Sequence, residues 1–406
     1  MQKPFFDAPF PDASVSDIDP YETNHLEDPS EFHEVLRRSG PLVWLTHYGV
    51  WATGRHRELT AIFRNHRSFC SSRGVGLQDF KTEEPWRPPS LILEADPPEH
   101  EKMRKVLSSV LSANALSALR ARFENEAEQL IDRLLGAGEF DGIAELAVGF
   151  PITVFPDAVG LTQENRNFLL DYGNLVFNML GPRNEIAARA AARAEQAVPW
   201  IAKQCERQNL ADGALGSDIY RCADRGEITE AEASLLVRSL LSAGLDTTVI
   251  AIGNMLRCFA DHPEQWQILM QDPSRARFAF EEALRYASPV HTFYRTADED
   301  VEVSGVRLNE GAKILLNIDC ANRDTDRWPD ANVFDITRRP GGQAAFGVGI
   351  HACVGRHLAT LESEVLLQIL AAKVRRIELT GEPVPDANNA LRGFRELPMK
   401  LTARDP

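Results

Sequence analysis

A mainly α-helical fold with a small β portion is what this sequence predicts, on three observations. From Pro97 to about Cys258, apolar residues recur at helical spacing almost without pause. Strand-type patterning is confined to "PLVWLTHYGVWAT" near the start and "HTFYRTADEDVEVSGVRLNEGAKILLNID" after Pro289. No internal repeat, low-complexity tract or linker divides the 406 residues, which argues for one continuous domain, 1–406.

Residues 1–20 hold acidic side chains and four prolines where a signal peptide needs a basic start and an apolar run, so they read as the extended leader of a cytoplasmic protein. Pro29 and Ser30 open a helical pattern that ends at Gly40, two short strands flank His47 to Gly49, and a helix runs from about Arg55 to Asn65. An irregular loop, Ser68 to Asp96, precedes a helix begun by Pro97 and Pro98. Gly136, Gly160, Gly181 and Gly213 then punctuate the helical stretch.

One helix stands out. Thr229 and Glu232 form a capping box, and nothing stops the pattern until Asp261, before His262-Pro263. At 1.5 Å per residue that predicts a central helix of about 50 Å. Its middle, "SAGLDTT", is its weakest point: Gly244 costs about 1 kcal/mol against alanine, and Thr247 and Thr248 are poor helix formers. Close packing against a neighbouring helix accounts for this, as does a group that must approach the backbone there, with Asp246 and Thr247 supplying an acid and a hydroxyl.

Bulk properties exclude several functions. A formal charge of -15 argues against nucleic acid or an anionic membrane as partner. No stretch reaches the roughly 20 uninterrupted apolar residues of a membrane span, and Arg238, Asp246 and Arg257 interrupt the central helix. The six cysteines show no C-x-x-C spacing, and five read as ordinary buried thiols.

The sixth, Cys353, sits in "FGVGIHACVGRHLA". A thiol becomes a useful nucleophile or metal ligand when something holds it as thiolate, which metal binding does outright. Gly349 and Gly355 are expected to leave room for a flat, bulky group against the backbone, with Phe346 packing beside it. A nucleophile with His351 as its base and a buried structural thiol are the other readings.

"FGVGIHACVG" resembles the F-x-x-G-x-x-x-C-x-G cysteine loop of the cytochromes P-450, the haem-thiolate monooxygenases. The resemblance extends to "AGLDT" (Ala243 to Thr247) as the oxygen-binding stretch, to Glu282 and Arg285 as the E-x-x-R pair, and to His100 and Arg104 in "HEKMR". It spans nearly the whole chain in the family's order, and it implies the triangular-prism fold of that family with a long central helix over a haem b. Cys353 would then be the iron ligand, with His100, Arg104, Arg295 and His351 serving the haem propionates. His100 and Arg104, four apart, share one helix face. Thr247 is expected to hold dioxygen by a hydrogen bond and Asp246 to relay protons, which favours O2 plus two electrons over peroxide. One departure stands out: Val333 occupies the position where the family has an arginine that completes a triad with the E-x-x-R pair, and Arg338 or Asn332 is available to replace it.

The Ser68 to Asp96 loop resembles that of the bacterial subfamily acting on para-substituted benzoic acids such as 4-methoxybenzoate. A guanidinium beside an apolar cavity is costly unless it meets an anion, and the arginine fork suits a carboxylate. The resemblance assigns Arg87 and Ser90 to the substrate carboxylate, assisted by Arg238 and Ser239 from the central helix. It places Leu93, Phe177, Leu180, Ala243, Val290 and Phe293 around the ring. Leu180 replaces a phenylalanine and His291 a glutamine of the subfamily; the smaller Leu180 predicts tolerance of bulkier or meta-substituted acids.

Nothing in the chain resembles a flavin or iron-sulfur domain, so a separate [2Fe-2S] ferredoxin and an NAD(P)H ferredoxin reductase are implied, with the enzyme itself a monomer. Arg356, His357, Lys102, Lys105, Arg64 and Arg67 form the expected basic docking face. Two other readings stand beside the aromatic-acid one: a monooxygenase of terpenoids or macrolides in which Arg87 only structures its loop, and a haem sensor needing neither Asp246 nor Thr247.

Overall fold

The computed structural model describes residues 6–404; Met1 to Phe5 of the leader lie outside the described residues. The rest of the leader is extended as expected but docked: Val15–Ser16 pairs in parallel with Trp44 and Leu45, and the Phe6 N–H donates to the Thr46 carbonyl at 2.8 Å.

Helices dominate, and the early elements fall where the pattern puts them: Ser30–Arg38, strands Val43–Leu45 and Val50–Thr53, His56–Arg64 and Glu99–Val110. The main sheet has six strands in the order Val15–Ser16, Val43–Leu45, Val50–Thr53, Lys313–Asn317, Thr292–Ala297 and Phe69–Cys70. Alternation along Thr292–Ala297 turns Phe293 and Arg295 to one face.

Two expectations need correction. Strands are not confined to the two predicted regions: Glu139–Asp141, Pro398–Ala403 and Val374–Leu379 form a second sheet, and Val384–Ala387 pairs with Arg392–Glu396. The central helix is also two helices, Glu230–Ala243 and Asp246–Asp261. The predicted capping box is present at its start. The break falls at Gly244 and Leu245, where the Thr247 and Thr248 hydroxyls donate to the Ala243 and Gly244 carbonyls at 2.7 and 3.2 Å. Side-chain hydroxyls thus compete with the backbone N–H groups for these carbonyls. Close packing explains the glycine itself, since a Cβ there would meet the Phe155 ring at 2.4 Å.

Two helical stretches, Gly142–Val159 and Glu230–Asp261, are long and apolar enough to cross a membrane, and in the most apolar 18 residues of each 56% are buried inside the protein. Both contribute to the largest apolar cluster.

Arg338 takes the place of the missing arginine. Glu282 and Arg285, both fully buried, pair at 2.8 Å through both carboxylate oxygens, and Arg338 Nε donates to Glu282 at 3.3 Å. Asn332 instead meets Arg323. The half-exposed Val333 contributes only its carbonyl, which accepts from Arg285 at 3.1 Å.

Candidate functional site

The helix break, the cysteine loop, the strand Thr292–Ala297 and the Ser68 to Asp96 loop meet around one cavity with about 1770 Å³ of empty space, part of it open to solvent. The loop is fastened over it by several contacts. The Asp96 carboxylate accepts the Ser71 and Ser72 N–H groups, each at 2.9 Å, which closes the loop's ends. Lys313 Nζ donates to the Arg73, Gly74 and Gln78 carbonyls. Leu77 N–H reaches the Leu180 carbonyl at 2.7 Å. Gly76 allows that approach, for a Cβ would meet the Leu180 carbonyl at 2.5 Å.

The predicted site residues line this cavity, with three exceptions: Asp246, His100 and Gly349. Asp246 is enclosed by protein. Its carboxyl lies against Gly173, where a Cβ would meet Oδ2 at 2.4 Å, and Oδ1 has no hydrogen-bond partner. Burial, with Asp171 and Asp386 adding negative charge, pushes its pKa well above the usual carboxyl range. His100 packs behind His351, ring centroids 4.2 Å apart and planes tilted by 54°. Gly349 does not make room for a bound group: its φ of +77° suits glycine, and a Cβ would meet the Phe63 carbonyl at 2.6 Å. It seats the cysteine loop on the end of the helix His56–Arg64. Gly355 does leave space, with only Cys353 Sγ at 3.8 Å from a Cβ. His291 also faces away from the cavity, its Nε2 at 3.3 Å from the Asn388 carbonyl, so it has no direct hold on a ligand.

Cys353 is exposed into the cavity. Crowding by protein pushes its thiol pKa up, opposed by the N–H of Gly355, the Arg104 and Arg356 guanidiniums and the N–H of Arg356. Arg104 donates to the Ala352 carbonyl, beside Cys353. Arg295 is buried over the Phe63 ring, 5.0 Å from its centroid, and burial brings its pKa down to about 10. Burial likewise drives His100 down to about 4, with His351 and Arg104 adding repulsion. Both ring nitrogens of His100 and Nε2 of His351 have no hydrogen-bond partner among the described residues. No group of three His, Cys, Asp or Glu side chains among the described residues could hold a metal by itself.

The haem implied by the resemblance fits these residues. A thiol, apolar walls including Leu107, Ala251, Phe280 and Leu358, and cationic groups beside Cys353 suit an apolar macrocycle that carries its own metal and two carboxylates.

A second polar group lines the same cavity. Arg238 Nη2 donates to the Pro88 and Pro89 carbonyls at 2.8 and 3.3 Å, and the Ser90 and Ser239 hydroxyls lie 3.1 Å apart. Arg87 lies 3.1 Å from Glu94, a partner that the sequence reading missed. The signal was an opposite charge seven residues on in the same loop.

Of the six residues of the expected docking face, all are exposed; Arg356 pairs with Glu281 at 2.9 Å and Lys102 with Glu232 at 2.9 Å.

Comparison with known proteins gives a consistent result. Residues 161–394 match the family model described as cytochrome P-450. The chain is 50% identical over 386 residues to cytochrome P-450 CYP199A2 of Rhodopseudomonas palustris, covering 95% of this chain and 94% of that protein. It is 31% identical over 374 residues to erythromycin C-12 hydroxylase of Saccharopolyspora erythraea, covering 90% and 92%. Among solved structures, that of CYP109Q5 from Chondromyces apiculatus superposes with a TM-score of 0.82 at 28% identity, covering 96% of this chain and 99% of that one.

Proposed function

The chain belongs to the cytochrome P-450 family, haem-thiolate monooxygenases that use O2 and electrons from a redox partner, and on that premise we propose that it oxidises a para-substituted aromatic carboxylic acid of the 4-methoxybenzoate type, by hydroxylation or O-demethylation. One observation carries the reading: in a largely apolar cavity, Arg87, Ser90, Arg238 and Ser239 converge from the loop and the central helix. Two guanidiniums and two hydroxyls on an apolar wall are an anion receptor. Ser239 and Thr247 lie on either side of the helix break, eight residues apart, and both line the cavity. An acid anchored there presents its para substituent toward Thr247.

Cys353 is proposed as the iron ligand, with Arg104, Arg295 and His351 meeting the propionates and His100 backing His351. When bound, haem supplies the iron at which O2 is reduced and cleaved. Thr247, whose hydroxyl donates to the Ala243 carbonyl, would be the hydrogen-bond donor nearest that chemistry, and Asp246, whose pKa burial raises, would be the acid beside the helix break. Leu93, Phe177, Leu180, Val290 and Phe293 enclose the ring and exclude water; Leu180 in place of an aromatic side chain leaves room for bulkier acids. A [2Fe-2S] ferredoxin, reduced by an NAD(P)H ferredoxin reductase, is proposed to supply electrons across the basic face around Arg356, in the cytoplasm.

A second reading draws on the Arg87–Glu94 pair: the arginine structures its loop, and the substrate is a neutral terpenoid or macrolide. Titration decides between them. 4-Methoxybenzoate is expected to shift the Soret band of the purified enzyme to the high-spin form, and Arg87→Ala to weaken its binding about 100-fold. No shift with the acid, or a shift untouched by Arg87→Ala, sinks the aromatic-acid reading.

A further inference from the structure

The loop over the cavity carries a carboxylate of its own, paired with an arginine that the proposed function assigns to the substrate. Arg87 Nη1 lies 3.1 Å from Glu94 Oε2 and Nη2 3.5 Å from Oε1, and the Ser90 N–H donates to the same Oε2 at 2.7 Å. The two side chains are 10% and 4% exposed, so the pair is nearly dry. The loop's own turn delivers the carboxylate, for the Glu94 N–H bonds the Ser90 carbonyl at 2.9 Å. Among the described residues Arg238 donates only to neutral acceptors, the Pro88 and Pro89 carbonyls. Arg87 Nε keeps an unused donor. Two guanidiniums and one carboxylate leave this part of the cavity with a single positive charge in excess.

We propose that Glu94 sets the charge class of the substrate: by offsetting one of the two guanidiniums it matches the cavity to a monoanion and turns away dianions such as aryl phosphate monoesters. The inference rests on the aromatic-acid reading above. A monocarboxylate brings the receptor to neutrality. A dianion leaves one negative charge uncompensated beside apolar walls, where a charge is expensive.

Two ligands of like shape test the idea, 4-methoxybenzoate and 4-methoxyphenyl phosphate, titrated calorimetrically into the haem-loaded enzyme well above the second phosphate pKa of about 6. The wild-type enzyme is expected to bind the carboxylate at least about tenfold more tightly. Glu94→Gln, which keeps the shape and the acceptor for Ser90 N–H, is expected to move the ratio toward the phosphate by about tenfold, the scale of one charge in a half-dry site. Equal wild-type affinities overturn the proposal without any variant. So does an unmoved ratio in a Glu94→Gln enzyme with wild-type melting and ferrous-CO spectrum, since a purely structural Glu94 changes stability and leaves the ratio alone. Failure of the wild type to bind 4-methoxybenzoate overturns the substrate reading together with this inference; binding with an unmoved ratio overturns this inference alone.

Discussion

Two sets of polar side chains gather at one cavity, and they are buried on different terms. Beside Cys353, both ring nitrogens of His100 and Nε2 of His351 have no hydrogen-bond partner among the described residues, and the nearest carboxylate, Asp96, stays 3.9 Å from His351. Arg295 bonds the carbonyl of its own neighbour Tyr294 at 2.7 Å and otherwise lies on an aromatic ring. Where the Ser68 to Asp96 loop meets the helix Glu230–Ala243, by contrast, the terminal nitrogens of Arg87 have Glu94, Arg238 has two carbonyls, and the two serines have each other. Unpaired buried polar groups cost about 1–3 kcal/mol each, more when charged. A protein tolerates them where a resident anion compensates permanently. A site that fills and empties with each turnover is better served by counter-groups of its own. The contrast is the one expected if the proposed division into a cofactor side and a substrate side holds.

The largest expected effect lies on the cofactor side. Cys353→Ala should remove the red-shifted, thiolate-type ferrous-CO band entirely and take monooxygenase activity below detection. Retention of that band would reassign the ligand and dissolve the contrast.

The next effect tests the substrate side as a self-compensated pair. Arg87→Ala leaves a buried carboxylate without its partner and is expected to cost about 3–5 kcal/mol of stability. Removing Glu94 as well should restore most of that loss, seen as recovery of the melting temperature, without restoring binding of the acid. A double variant no more stable than the single one would mean that the pair is not what compensates Arg87.

What could be read from sequence was local. The cysteine loop packs its chemistry into ten residues, and the Gly244 region was legible as a weak point because propensity is a property of neighbours. That it breaks the helix outright depends on where the Thr247 and Thr248 hydroxyls point, which spacing does not say. The C-terminal strands went unseen because "VRRIEL" and "RGFRE" carry charges at exposed and half-exposed positions and lack clean alternation. Orientation was the recurrent loss. Asp246 turns toward Gly173, His291 toward Asn388, and Gly349 serves the Phe63 backbone, each decided by a partner far away in the chain. The exchange of Val333 for Arg338 was half visible, since a replacement cation stood nearby and only the fold could choose it over Asn332.

The smallest effect separates two hydroxyls that sequence treats alike. Ser239 donates to the Leu235 carbonyl at 3.0 Å, so in the pair at 3.1 Å it is Ser90 that donates to Ser239. Ser90 meanwhile accepts from the Leu93 and Ile92 N–H groups at 3.3 and 3.4 Å, which leaves its own proton free to swing to an incoming carboxylate. A hydrogen bond to a charged acceptor is worth about 1.5–3 kcal/mol, so Ser90→Ala should weaken acid binding by about tenfold or more. Ser239→Ala removes a proton already committed to the helix backbone and should cost about threefold at most. Equal losses in spectral titrations would show that Ser239 gives up Leu235 for the ligand, and that this side of the cavity too keeps its donors in reserve.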